Sequence, residues 1–296
     1  MEALIGMVAN GSILLINFMD WFRRKKLSPT DLILSCLGLS RLLQLALVIL
    51  EVAIAIWFKN IFSKAFFIFS SVWLFTNALN LWFTACLSVF YLVKIAIFSH
   101  PVFLQVKRRL SGLVPWLLLG SVVFSTVVTI IVLIIWSYGF STCNPFKSLL
   151  SNRSNADGNM PPVCKHITTL IAPFDFIPLM VFLSSSLLLI SSLWRHMRRV
   201  QCNGTATRDL NTQAYLSAIK ALASFAVLYL INVATAASQS VLVLNNQSTW
   251  ATVLFTVHAV YPSGHAIILI LINPKLKQAW VRMIHHFKCC LSKVPS

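Results

Sequence analysis

Seven stretches of mostly apolar residues, separated by short polar segments, run along the chain. They lie at approximately 2–19, 32–57, 66–97, 113–138, 167–193, 214–243 and 250–272. A helix that crosses the hydrocarbon core of a bilayer needs about 20 such residues. The pattern therefore predicts an all-α membrane protein, a seven-transmembrane helix bundle. The first stretch is short, because as a helix it would rise only about 27 Å, barely the thickness of the core.

A final segment that begins at Pro274 has a different pattern, in which apolar and basic residues are interleaved at helical spacing. The apolar positions are Leu276, Trp280, Ile284 and Phe287, and the basic positions are Lys275, Lys277, Arg282 and Lys288. This pattern is typical of an amphipathic helix on a membrane surface. We therefore expect a seven-span domain at 1–273, with its first helix shortened at the N-terminus, and a short amphipathic cytoplasmic helix with a tail at 274–296.

The composition supports a membrane location for most of the chain. Hydrophobic residues make up 58% of it and charged residues only 10%, with a mean hydropathy of +0.81, whereas a soluble domain carries about a quarter charged residues. The net charge of +17 would suit a nucleic-acid partner. However, the basic residues occur in short bursts between apolar stretches, as in loops at one face of a membrane. We therefore expect membrane lipid, and no nucleic acid, as a partner.

The distribution of basic residues predicts the orientation. Eighteen of the 24 Lys and Arg residues fall in the loops on one side and the tail, five in the opposite loops, and Arg41 within a span. The positive-inside rule then places the N-terminus outside and the C-terminus in the cytoplasm of a plasma-membrane protein. Asn152, in the longest outside loop, begins an Asn-Arg-Ser sequence and is the predicted glycosylation site. Cys143 and Cys164 flank the same loop, and the sequence leaves open whether they pair.

Residues that would support catalysis or metal binding are scarce. The seven carboxylates do not pair at helical spacing, and the seven Cys residues include no C-x-x-C motif. Ser263 and His265 are two residues apart, so on a helix they point to different faces. We therefore expect neither an enzyme nor a bound metal or cofactor.

Arg41 lies deep in the second apolar stretch, where an uncompensated guanidinium costs a few kcal/mol or more. We expect it to face the interior of the bundle and to find acceptors on Asn10, on Ser263 or on backbone carbonyls of the seventh span. Such a buried cation is typical of a structural or switching site. The alternative is that the side chain extends to the membrane surface.

The outer half and the middle of the third stretch carry an unusual density of polar and aromatic side chains. They are Asn77, Asn80, Trp82, Thr84, Cys86 and Ser88. Side chains of this kind either hold helices together or line a cavity. We interpret Trp82, with Asn77 and Asn80, as part of a small-molecule pocket, and interhelical hydrogen bonding without a ligand is the alternative.

Four motifs in chain order resemble the type 2 (bitter) taste receptors, over almost the whole chain from about Asn10. They are Gly-Leu-Ser-Arg at 38–41, Leu-Ser-Val-Phe-Tyr at 87–91, Leu-Leu-Ile-Ser-Ser-Leu at 188–193 and Tyr-Pro-Ser-Gly-His at 261–265. The chain departs from the family pattern at Ala266, where the family has Ser, and at Ala78, where many members have His. The resemblance implies a G-protein-coupled receptor that senses small bitter-type molecules and activates a gustducin-like heterotrimeric G protein.

The resemblance also implies where the sites lie. The expected pocket comprises Trp82, Asn77, Asn80, Cys86, Tyr229, Asn232, Ala236, Phe255 and His258. The expected structural switch comprises Asn10, Arg41, Ser263 and His265. Basic residues at the inner ends of spans three, five and six are expected to face the G protein, although positive-inside charge alone would also explain each of them; they are Lys94, Arg195, His196, Arg198, Arg199 and Lys220.

Two other functions remain as alternatives. The short first stretch would fit a truncated membrane protein that does not signal. A small-solute transporter or channel would require carboxylates or broken helices at the middle of the membrane, and commonly internal repeats. The sequence contains no recognisable repeat, and Arg41 is its clear charge at that depth.

Overall fold

The structure is a computed structural model that describes residues 2–57, 59–96, 101–139, 162–202, 208–244, 257 and 260–291. These residues form eight helices and no strand. The helices are α1 (Glu2–Arg24), α2 (Pro29–Trp57), α3 (Lys59–Ile95), α4 (Pro101–Gly139), α5 (Pro162–Cys202), α6 (Arg208–Leu244), α7 (Val260–Ile272) and α8 (Pro274–Leu291).

The predicted helical membrane bundle is confirmed. Each of α1 to α6 is long and apolar enough to cross a bilayer, and the described part of α7 is a shorter apolar helix of 13 residues. Large apolar side chains such as Leu15, Trp116 and Leu187 are exposed on the outside of the bundle. In a bilayer these side chains meet lipid tails, whose polarity matches theirs.

Several helices are longer than the apolar stretches that predicted them. The first helix has 23 residues, or about 35 Å, so it exceeds the predicted span and is long enough to cross the hydrocarbon core. Helix α4 begins at Pro101, twelve residues before its apolar stretch. The physical reason is that hydropathy marks only the part of a helix in hydrocarbon, whereas its hydrogen bonds continue into the polar headgroup region.

The helices pack in a closed ring around α3. Helix α1 packs against α2 and α7, α2 against α3, α5 against α6, and α6 against α7; α3 also packs against α4 and α5. Hydrogen bonds from α2 to α3 join Ser40 to Asn80 and Arg41 to Thr84. Asn80 also donates to Gln44, so the later position on α2 meets the earlier position on α3, and the two helices are antiparallel neighbours, as their short connection requires.

Helices α1 and α7 approach each other closely at Gly6. A Cβ atom added there would lie 2.1 Å from the Ser263 Oγ atom and 2.9 Å from Leu45. On the next turn of α1, the Asn10 amide donates to the carbonyl of Gly6 at 2.8 Å and to that of Pro262 at 3.3 Å. A small residue at a helix contact is a common feature of membrane bundles, because it lets backbones approach.

One lysine fastens the start of α8 to the ends of α1 and α2. The Lys275 ammonium lies 2.7 Å from Asp20 and 2.8 Å from Asp31, and it donates to Asn17 at 3.3 Å. Partial burial lowers the pKa of Lys275, but its hydrogen bonds to the two carboxylates outweigh this and raise it above the ordinary value. The Asn273 side chain caps α8 by accepting from the Lys275 backbone N–H at 3.1 Å.

Candidate functional site

Arg41 is fully buried where α2, α3 and α7 meet, in agreement with the expectation that it faces the interior. Its Nη1 atom lies 2.8 Å from the Nδ1 atom of His265. Its Nη2 atom donates to the hydroxyls of Thr84 and Tyr261, both at 3.4 Å, and the guanidinium lies over the Tyr261 ring at 5.2 Å. All three partners are neutral groups, so the charge is compensated by dipoles and a ring face instead of a carboxylate.

The expected acceptors of Arg41 differ from those in the structure. Asn10 bonds the backbone of Gly6 and Pro262, and Ser263 donates to the Glu2 carbonyl at 3.2 Å. Both residues therefore hold α1 against α7 instead of accepting from Arg41. His265, two residues after Ser263, occupies the face of α7 that reaches the guanidinium.

A second set of polar contacts extends the site along α2 and α3. The Ser40 hydroxyl donates to Asn80 at 2.5 Å, and the Asn80 amide donates to Gln44. The Thr84 hydroxyl donates to the Asn80 carbonyl at 2.7 Å and also contacts the Tyr261 hydroxyl at 3.0 Å. Asn80 is therefore committed to bonds between helices, which corresponds to the alternative that the sequence left open for this residue.

Aromatic rings connect this site to α5 and α6. Tyr229 packs edge-on against Phe182 with ring centroids 4.7 Å apart, and it stacks on Tyr261 at 5.8 Å. His265 stacks on Phe225 at 4.1 Å. We call the series Phe182, Tyr229, Tyr261 and Arg41 the aromatic path, because each member contacts the next across a helix boundary.

Tyr229 and Asn232, which the sequence places in the pocket, are both buried in α6 and lie on one face of the helix, three residues apart. The Tyr229 hydroxyl and the Asn232 side-chain oxygen have no hydrogen-bond partner among the described residues. A buried polar atom without a partner costs about 1–3 kcal/mol, so these atoms are candidates for contact with a ligand. Ala236, one turn further along the helix, is half-buried.

Trp82 and Cys86 lie on a different face of α3 from Asn80 and Thr84, and both point toward α4. Trp82 is half-buried and packs against Phe124 with centroids 4.9 Å apart, while the Cys86 sulfur lies 3.5 Å from the Ser121 hydroxyl. No hydrogen bond or ring contact among the described residues joins these two residues to Tyr229 or Asn232. In the described contacts, Trp82 and Cys86 meet α4, whereas Tyr229 meets α5 and α7.

The remaining predicted pocket and modification residues lie partly outside the described residues. Asn77 is buried in α3. Phe255, His258 and the glycosylation site Asn152 fall outside the described ranges, as does Cys143 of the open disulfide question. Their predicted roles stay predictions.

Of the basic residues expected to face the G protein, Lys94 lies at the end of α3 and the α5 residues lie in its last turns, whereas Lys220 lies twelve residues into α6, near the start of its apolar part. Lys94 and Lys220 are exposed, and the Lys94 ammonium lies 5.4 Å from the Phe90 ring centroid. Arg195 is exposed and Arg198 lies over the Trp194 ring at 5.4 Å. His196 is half-buried at the same end, and Arg199 lies in α5 with its side chain outside the described set.

Sequence reasoning missed three residues that the structure brings to the site. Tyr261, Phe225 and Asp175 were not assigned roles, although Tyr261 lies four residues before His265 and so shares its face of α7. The four-residue spacing between Tyr261 and His265 could therefore have predicted that Tyr261 lies at the same site as His265. Asp175 is half-buried in α5, seven residues or about 10 Å along the helix before Phe182.

A ring of apolar helices that closes with α7, continues into an amphipathic α8 and buries a polar junction at its centre defines a helical membrane bundle. The family model described as taste receptor protein (TAS2R) matches residues 1–288 of this chain. The chain belongs to the type 2 taste receptor family, and its relatives support a bitter taste receptor of the G-protein-coupled class.

Individual relatives match over nearly their full length. The chain is 35% identical to taste receptor type 2 member 8 of Pongo pygmaeus over 290 residues, which cover 96% of this chain and 92% of the relative. It is 36% identical to taste receptor type 2 member 7 of Rattus norvegicus over 293 residues, which cover 98% and 94%. The family consists of receptors, a kind of protein that is not enzymatic.

Proposed function

We propose that this chain is a plasma-membrane receptor that binds small bitter-type molecules and activates a gustducin-like heterotrimeric G protein. The aromatic path carries the proposal, since it links the candidate pocket at Tyr229 to Arg41. A ligand that shifts Tyr229 alters its stacking on Tyr261, which shares contacts with Arg41 and Thr84. The helices that meet at Arg41 then rearrange together, and such a junction with two packings is what a conformational signal requires.

The ligand is proposed to contact the unpartnered polar atoms of α6. The Asn232 oxygen accepts a hydrogen bond from a ligand donor, and the Tyr229 hydroxyl either donates or accepts. Trp82 supplies a large amphipathic surface, and rings of this kind dominate binding energies where they are desolvated. The pocket residues that the sequence assigned include no carboxylate, which favours neutral or weakly polar ligands. An ionised Asp175, which interacts electrostatically with Tyr229, would instead favour cationic ligands.

The pocket is tested by ligand-evoked calcium release in cells that express a chimeric G protein. Trp82→Ala should raise the half-maximal concentration of an agonist at least tenfold, equivalent to about 1.4 kcal/mol. Trp116→Ala is the matched control, because Trp116 is 71% exposed on α4 and faces lipid. An unchanged curve for Trp82→Ala at equal surface expression places the ligand elsewhere. No response of the unmodified chain to any bitter compound would favour the non-signalling alternative.

The unpartnered atoms of α6 are tested separately. Asn232→Leu should weaken agonists that carry a hydrogen-bond donor by tenfold or more while sparing those without one, because only the former lose a bond. Equal weakening of both kinds would mean that the change disturbs packing and that Asn232 does not bind ligand.

The G-protein face is proposed at the exposed residues Lys94, at the end of α3, and Lys220, near the start of the apolar part of α6. Lys94→Gln with Lys220→Gln should lower the maximal response while leaving agonist binding within about twofold, because these residues are remote from the pocket. Arg108→Gln with Arg109→Gln, also exposed at the end of a helix, is the matched control. If binding and signalling fall in parallel, the two lysines are structural.

The orientation is tested through the predicted glycan. Asn203 begins a second such sequence, Asn-Gly-Thr, on the predicted cytoplasmic side. Deglycosylation should shift the mobility of the unmodified chain and of Asn203→Gln, but not of Asn152→Gln. The reverse pattern would invert the proposed topology.

A further inference from the structure

An exposed basic cluster surrounds the junction of α1 with α8. Arg23 and Arg24 end α1, and Lys25 and Lys26 follow in the connection to α2; all four are exposed. Lys277 and Arg282 are exposed along α8. We call these six residues the α1–α8 basic cluster. The backbone of Lys25 adopts a φ of 50°, so the chain turns sharply there and keeps the four consecutive charges beside the helix end.

An aromatic group lies immediately next to this cluster on the outside of α1. Phe18, Trp21 and Phe22 are 55%, 44% and 68% exposed, and their ring centroids are 5.4–5.8 Å apart. No ring packs into the bundle interior, although each is large and apolar. Aromatic side chains in such positions are enriched where the hydrocarbon core meets the headgroups. The basic cluster therefore lies at headgroup depth.

The two carboxylates near the cluster reduce its positive charge only in part. Asp20 and Asp31 are the described acidic residues at this end of α1 and α2, and both are engaged by Lys275 at 2.7 and 2.8 Å. The lysine offsets one of the two negative charges, and Asp20 also interacts electrostatically with Arg23 and Arg24. The six positive charges of the cluster therefore outweigh the one negative charge that remains.

We propose that the α1–α8 basic cluster is a binding site for the headgroup of a polyphosphorylated inositol lipid. Clusters of four to eight basic residues next to a membrane helix recognise such anionic headgroups. Arginine and lysine satisfy phosphate oxygens by charge-assisted hydrogen bonds. Several phosphates on one headgroup match several cations in one place, whereas a phosphatidylserine headgroup neutralises about one.

A protein partner fits this surface less well than a lipid does. The cluster lies at α1 and α8, and α1 packs against α2, α7 and α8 within the described residues. The ends of α3, α5 and α6, where the G protein is proposed to bind, belong to other parts of the ring. The neighbouring rings of α1 also face outward, toward lipid. The lipid-binding proposal does not require the proposed orientation of the chain. The orientation determines only which leaflet supplies the lipid.

The test is native mass spectrometry of the purified full chain in detergent, with phosphatidylinositol 4,5-bisphosphate or phosphatidylserine added at equal concentration. We expect the inositol lipid to occupy at least fivefold more receptor than phosphatidylserine. The triple variant Arg23→Gln, Arg24→Gln, Lys26→Gln should lose that binding at least fivefold. The matched control is Lys107→Gln, Arg108→Gln, Arg109→Gln, which removes three exposed charges from the start of α4, and it should change binding less than twofold.

Each alternative outcome overturns the proposal. Equal losses in the two triple variants would mean general attraction to basic loops, and equal occupancy by the two lipids would remove the preference for several phosphates. Retained lipid binding with lost G-protein activation would assign the cluster to a protein partner. Thermal unfolding of both variants verifies folding. Because lipid binding in detergent requires neither agonist nor orientation, failure here is distinguishable from failure of the proposed receptor function in cells.

Discussion

Arg41 and Lys275 both join the last part of the chain to its first helices, but their surroundings are opposite. Arg41 is fully buried and contacts neutral groups of Thr84, Tyr261 and His265, two of them at 3.4 Å. Lys275 is about one-third exposed and contacts two carboxylates at 2.7 and 2.8 Å. A fixed counter-charge favours one arrangement, whereas dipoles at moderate distance permit exchange of partners. The comparison identifies the Lys275 site as a clamp and the Arg41 site as a candidate switch.

The largest expected effect comes from Arg41→Leu. The change leaves Thr84, Tyr261 and His265 without their shared partner in a dry interior, which costs about 1–3 kcal/mol for each group that stays unpaired. We expect surface expression or signalling to fall at least tenfold. Arg109→Leu, on the exposed start of α4, should have little effect. Equal surface protein and equal response in the two variants would remove the distinction between a buried junction and an exposed cation.

A second variant asks whether charge or shape matters at Arg41. Arg41→Lys keeps the charge but loses the planar fork that reaches groups on α3 and α7 at once. We expect the protein to reach the surface while its maximal response changes, because one ammonium cannot replace both branches of the guanidinium. A normal response would show that charge alone suffices there.

The burial of Arg41 was predictable from its depth in an apolar stretch, but the identity of its partners was not. Ser263 and His265 differ by two residues, which is about 200° of rotation on a helix. An apolar stretch does not reveal that rotation, since all of its faces are apolar. The choice of the wrong acceptor on α7 therefore came from an unknown helix orientation, while the segment itself was correct.

The same limit explains why the residues of the expected pocket contact different helices. Trp82 and Asn80 are close in sequence, yet Asn80 faces α2 and Trp82 packs against Phe124 of α4. Polar density along α3 indicated that this helix lies inside the bundle, which is what the structure shows. The density did not indicate which neighbour each side chain meets. Which neighbour a side chain meets depends on how the seven helices pack together, and the local sequence pattern does not contain that packing.

An effect of intermediate size is expected at the contact between α1 and α7. This contact positions α7, which carries two of the partners of Arg41, so it sharpens the comparison between the Arg41 and Lys275 sites. Gly6→Ala would place a methyl group 2.1 Å from Ser263 and force the helices apart, at a cost of about 1–3 kcal/mol. Gly11→Ala is the matched control, since a Cβ atom there meets nothing within 4 Å. It should stabilise α1 by about 0.5–1 kcal/mol. Thermal unfolding of the purified variants measures both changes, and a stabilised Gly6→Ala would contradict the close approach.

The smallest effect is expected at Lys275. Lys275→Gln should lower the free energy of unfolding by about 1 kcal/mol or less, because a partly exposed ion pair is screened by solvent. The raised pKa of Lys275 means that its stabilising effect is complete below the unfolded value, near 10.4, and is lost only as the pH rises through the folded value. The lysine contribution should therefore be constant between pH 7 and 9.

The salt dependence of stability distinguishes the Arg41 site from the Lys275 site most directly. The Debye length falls from about 10 Å at 0.1 M to about 3 Å at 1 M, so the difference between the unmodified chain and Lys275→Gln should shrink over that range. The difference between the unmodified chain and Arg41→Leu should not, because ions in solution do not reach a fully buried guanidinium with neutral partners. Thermal unfolding at the two salt concentrations measures both differences. If both shrink alike, water and ions reach Arg41, and its site is as open to solvent as the Lys275 clamp.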